Sequence, residues 1–116
     1  AKPVINWLSK VLTADSYLSQ IPFQFPGMPW ENVEHYWQRS PLSLVGNVTT
    51  PTLLITGEHD RRTPISETEQ YYQALKLQKV DTIMVRVPGS AHGIASKPSR
   101  MIAKIENILA WFERYK

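Results

Sequence analysis

The residues best suited to chemistry lie in two short loops, Asp60 in "GEHDRRTP" and His92 in "VPGSAHGI". A carboxylate and an imidazole are the acid and base of a Ser-His-Asp triad. The carboxylate fixes the histidine tautomer and stabilises the imidazolium that forms when a serine proton is taken. Ser90 has the small, glycine-flanked setting of a hydrolase serine, two residues before His92. Its spacing is wrong for that role. A nucleophile on a strand-to-helix elbow sits at the centre of Gly-x-Ser-x-Gly, and between Gly89 and Gly93 that centre is Ala91. No other Gly-x-Ser-x-Gly occurs in the chain. On the fold that uses this elbow the triad order is Ser, Asp, His. Asp60 before His92 fits that order, and the partner serine is expected upstream of Ala1.

Taken singly, each of these residues has a plainer reading. A loop aspartate next to Arg61 and Arg62 is ordinarily a turn residue or half of a solvated ion pair, and the arginines themselves suit a solubilised loop. Only the pairing of Asp60 with His92 favours chemistry. His59 adjoins Asp60, but neighbouring residues on an extended loop point apart, so a structural or exposed role is expected. His35, among Tyr36 and Trp37, reads as packing. Three histidines without short ligand spacing and no cysteines argue against a zinc site. Asn47-Val48-Thr49 matches a glycosylation triplet of a kind that arises often by chance.

The elements that must position the two loops are clearest after Pro51. "TLLIT", bounded by Pro51 and Gly57, is a continuous apolar run, the mark of a strand buried on both faces. Ser66-Glu67-Thr68-Glu69 fits a capping box that opens a helix running to about Leu77, with Tyr71, Tyr72 and Leu75 on its apolar side. "TIMVRVP" is a second β-rich run, also read as buried on both faces and ended by Pro88-Gly89. A final helix is expected from Ser99 to Tyr115, its stripe of Met101, Ile102, Ile105, Ile108, Leu109 and Phe112 facing a core. This βαβα order requires parallel strands and a right-handed crossover. Both loops then fall at the carboxyl ends of neighbouring strands, where open parallel sheets gather their chemistry. Upstream, "VINWLSKVL" predicts a short helix, and the prolines of "IPFQFPGMPW" rule out a continuous one. Glu31 to Gln38 predicts another helix, with Glu31 and Glu34 at its positive end, stopped by Ser40-Pro41.

Bulk properties set the outer limits. With 116 residues, 42% hydrophobic and 20% charged, the chain suits one modest domain or a piece of a larger one. No apolar run approaches the roughly 20 residues of a bilayer-crossing helix, so no membrane span is expected; no export signal is legible, and one, if it exists, is expected to lie outside these residues. A net charge of +3, spread along the chain, gives no support for nucleic-acid binding. The absence of cysteine is compatible with a reducing, cytoplasmic compartment.

"PTLLITGEHDRRTP" followed by "VPGSAHGI" resembles the C-terminal part of the α/β-hydrolase catalytic domain in the prolyl oligopeptidase family of serine peptidases, particularly its acylaminoacyl-peptidase and dipeptidyl-aminopeptidase members. "PWENVEHYWQRSPLSLVGNVTTP" resembles the family's lead-in to the acid-bearing strand. The resemblance extends over nearly all of residues 1–116. It implies an α/β fold with Asp60 as triad acid and His92 as triad base. It also implies that Arg62, two residues after the acid, binds a carbonyl or carboxylate of a peptide substrate. Ala91 departs from the glycine common before the family's histidine. The nucleophile loop, the first oxyanion-hole loop and the β-propeller lie outside the matched region, so the chain alone is expected to be inactive. The expected partners are a peptide substrate and either the remainder of the catalytic domain or a second copy added at an exposed sheet edge, with no metal or organic cofactor. A carboxylesterase on the same fold would use the same triad, and a non-catalytic proteolytic remnant that binds a partner is the alternative from a different class.

Overall fold

The apolar run after Pro51 forms strand β1, Thr52–Gly57, and the second run forms strand β2, Thr82–Val87. In the computed structural model, which describes residues 3–16 and 21–116, the two strands pair in parallel, from Thr52 opposite Thr82 to Gly57 opposite Val87. Among the described residues, three short helices precede them, α1 (Trp7–Lys10), α2 (Ile21–Gln24) and α3 (Val33–Gln38), followed by a 3-10 segment, Pro41–Asn47. Helix α4, Ile65–Leu77, connects the strands, and helix α5, Pro98–Arg114, closes the chain.

Side chains of a strand alternate between faces, and the two long helices use both. Leu54 packs with Leu75, Val80, Tyr71, Tyr72 and Met84 on the α4 side. On that side too the Thr56 and Thr68 hydroxyls meet at 2.5 Å in a buried hydrogen bond. Leu53 and Ile55 face α5 instead, lining a groove with Ile108, Trp111 and Phe112. The sheet is therefore the middle of three layers. A separate cluster holds the N-terminal segments together: Val11, Ile21, Phe25 and Tyr36, with Phe25 stacked on Tyr36 at 4.0 Å. The Tyr36 hydroxyl donates to the Gly27 carbonyl at 2.8 Å.

Glu67 ties this N-terminal region to α4. Its fully buried carboxylate accepts from the Ile5 and Asn6 amides at 3.2 and 2.9 Å, from Ser9 Oγ at 2.5 Å and from Gln70 Nε2 at 3.0 Å. Four donors offset the cost of removing the carboxylate from water. The capping box expected at Ser66 and Glu69 does not form. Pro64 takes the N-cap position with no side-chain cap, so Ser66 falls inside the first turn, while Glu69 pairs with Arg86 at 2.8 Å.

Other expectations shift as well. Helix α3 starts at Val33, leaving Glu31 outside it, where its carboxylate accepts from the Met28 amide at 2.9 Å. One helical turn, Ile21–Gln24, fits inside the proline-rich run because Pro22 lies in the first turn, where its missing N–H is not needed. Strand β2 is not buried on both faces: Ile83 is 40% exposed and Arg86 is also exposed. The largest correction concerns α5. Its stripe does not face a core: Ile102 is 56% exposed, Leu109 62% and Phe112 66%, with Trp111 the helix's one buried residue among those described. The reason is width. Paired strands lie about 4.8 Å apart, so two of them offer less surface than a helix about 10–12 Å across can cover.

Candidate active site

Where β1 and β2 end, the backbone stitches their loops together. The Glu58 amide donates to the Val87 carbonyl at 3.0 Å and the His59 amide to the Ser90 carbonyl at 2.9 Å. Gly57 permits this approach, since a Cβ there would lie 2.2 Å from the Ser90 carbonyl oxygen. The two loops thus bring Asp60 and His92 into contact, with Oδ2 of the acid 2.8 Å from Nδ1 of the ring.

The Asp60 side chain is fully buried, whereas that of His92 is 46% exposed. Oδ1 accepts from the amides of Arg62 and Thr63 at 3.0 and 2.9 Å, an Asx turn in which the aspartate organises its own loop. Oδ2 accepts from the Thr63 hydroxyl at 3.1 Å as well as facing the ring. An ionised carboxylate only accepts, so Nδ1 carries the proton in this contact and Nε2 is the basic nitrogen of that tautomer. The arrangement can hold an imidazole in one orientation and stabilise its protonated form.

Beside this pair is a cleft of about 370 Å³ lined by Asp15, His59, Arg61, Arg62, Ala91 and His92. It is the Arg62 backbone amide, not its guanidinium, that bonds Asp60. The side-chain Nε donates to Asp15 Oδ1 at 2.8 Å, with both side chains about half exposed. Lys10 lies close enough for its pKa to feel the Arg62 charge; burial first, and that positive charge second, hold its ammonium below the usual lysine value. His59 is exposed in the same cleft. His35 sits elsewhere, its ring edge on Phe25 at 5.8 Å. Ser90 is fully buried, and its Oγ has no hydrogen-bond partner among the described residues. Among those residues no group of three or more candidate ligands could hold a metal ion.

Sequence reasoning overlooked Thr63, Asp15 and Glu67. Thr63 carried a readable signal, a hydroxyl three residues after a loop aspartate. Asp15 and Glu67 carried none, because the partner of Asp15 lies 47 residues away and three of the four partners of Glu67 lie 58 to 62 residues away.

A carboxylate at the end of one parallel strand, an imidazole at the end of the next, and helices on both faces of the sheet are the arrangement of the C-terminal part of an α/β-hydrolase fold. Along residues 1–116 the sequence matches the prolyl oligopeptidase family, and the chain belongs to it. It is 33% identical to the peptidase YuxL of Bacillus subtilis over 116 residues, 98% of this chain and 18% of that protein. It is 34% identical to acylamino-acid-releasing enzyme 1 of Oryza sativa over 86 residues, 74% of this chain and 11% of that one. The acylaminoacyl peptidase of Pyrococcus horikoshii superposes with a TM-score of 0.90 at 27% identity, covering 97% of this chain and 19% of that structure. The chain therefore spans about a fifth or less of the length of these relatives.

Proposed function

We propose that this chain supplies the acid and base of a serine peptidase that cleaves peptide or acyl-peptide bonds through an acyl-enzyme, with Asp60 as acid and His92 as base. The observation that carries the reading is the 2.8 Å contact between a fully buried Asp60 carboxylate and the His92 ring. The nucleophilic serine belongs to the rest of a larger catalytic domain, since Ser90 is buried. His92 takes the serine proton through Nε2, Asp60 stabilises the imidazolium, and the same proton then passes to the leaving amine. Arg62 turns its guanidinium into the cleft and donates to a substrate carbonyl. The chemistry requires no cofactor. Acylamino-acid-releasing enzymes and an acylaminoacyl peptidase among the relatives support an acylated peptide as substrate.

The test uses the full-length enzyme. Asp60→Asn should preserve the folded state by circular dichroism yet lower turnover by up to about 10⁴-fold, because the histidine tautomer is then wrong. Undiminished turnover would remove Asp60 from the mechanism. Parallel assays on an amide and an ester of the same acyl group separate a peptidase from an esterase.

A further inference from the structure

Arg62 reaches the cleft already paired. Asp15 Oδ1 takes its Nε–H at 2.8 Å, and among the described residues the Arg62 side chain has no other hydrogen-bond partner. A guanidinium has five N–H donors arranged as a fork, so the outer nitrogens remain to meet a substrate oxygen. Asp15 is held in place independently of its own carboxylate. Its amide donates to the Arg61 carbonyl at 2.8 Å, and the preceding Ala14 is buried and bonded back to Lys10. The carboxylate is thus a fixed negative charge at a cleft whose cations are Arg61 and Arg62, with Lys10 close by.

We infer that Asp15 is a specificity-determining residue: by balancing Arg62, it makes this position of the cleft accept a neutral carbonyl in preference to a free carboxylate. The inference rests on the proposed substrate-binding role of Arg62. A neutral acyl or amide oxygen needs only a donor, which the outer guanidinium nitrogens supply. An anionic group would gain from Arg62 but would be opposed by Asp15 across the same few ångströms. Without the Asp15 charge that opposition disappears and the net positive field of the loop attracts anions.

The experiment measures kcat/KM of the full-length enzyme on two peptides that differ only in their cap, acetyl or succinyl. Asp15→Asn should raise the succinyl-to-acetyl ratio by about two- to fivefold, the range expected of a half-exposed ion pair. The change should appear in KM rather than kcat and shrink as salt is added. Asp15→Glu, which keeps the charge, should restore a ratio near that of the parent. An unchanged ratio in Asp15→Asn, while Arg62→Ala impairs cleavage, would overturn the inference and leave the role of Arg62 standing. Arg62→Ala without effect on either peptide would overturn both.

Discussion

Asp60 and Ser90 illustrate how burial assigns opposite meanings to two polar residues in adjoining loops. The Asp60 carboxylate loses its water but gains two amides, a hydroxyl and an imidazole. Ser90 loses its water and its Oγ gains nothing among the described residues. A buried polar group without a partner costs about 1–3 kcal/mol. Ser90→Ala in the full-length enzyme is therefore expected to leave turnover unchanged and to leave the melting temperature unchanged or raise it. A large loss of turnover with the fold intact would mean that Ser90 does take part in the reaction, against the reading that its off-centre spacing and burial both support.

At the scale of elements, the close approach of β1 to the histidine loop depends on one missing side chain. Gly57→Ala would drive a Cβ to within 2.2 Å of the Ser90 carbonyl oxygen and 2.7 Å of the Ala91 carbonyl oxygen. These are backbone atoms and cannot rotate away. Overpacking of this kind costs about 1–3 kcal/mol, and the strain falls on the segment that carries His92. Thermal melting should show the destabilisation and the turnover should fall with it. An enzyme with parental stability and rate would mean that the loops are less tightly joined. The strands, the helix between them and the proximity of Asp60 to His92 were all legible in the sequence. Continuous apolar runs and loop punctuation are local signals, and a βαβ unit has little freedom in how it closes. The capping box was misread because a serine followed by glutamate fits the pattern whether or not a proline upstream has already started the helix. The α5 stripe was misread because periodicity identifies an apolar face without revealing what lies against it. Arg62 was legible as a loop residue, but its partner Asp15 was not.

For the whole molecule, the Cα radius of gyration is 15.2 Å, against about 13.4 Å for a compact chain of this length. The accessible surface, 7080 Å², exceeds the roughly 6450 Å² expected at this mass. The excess accords with the outward stripe of Met101, Ile102, Ile105, Leu109 and Phe112 on α5. Contiguous apolar surface of this kind marks an interaction site or an aggregation hazard. The isolated chain is accordingly expected to self-associate, and light scattering at micromolar concentration should give a mass above that of one copy; a strictly monomeric species would mean the stripe tolerates water. The parallel register has a consequence of its own. Asp60 and His92 meet because Gly57 stands opposite Val87, and a parallel strand advances about 3.3 Å per residue. A slip of two residues would preserve which side chains face each helix, yet carry the acid about 7 Å past the base. Under the roles proposed for Asp60 and His92, misaligned sheets that hide the same greasy residues would be chemically silent, so turnover of the full-length protein would act as a gauge of whether its strands are in step.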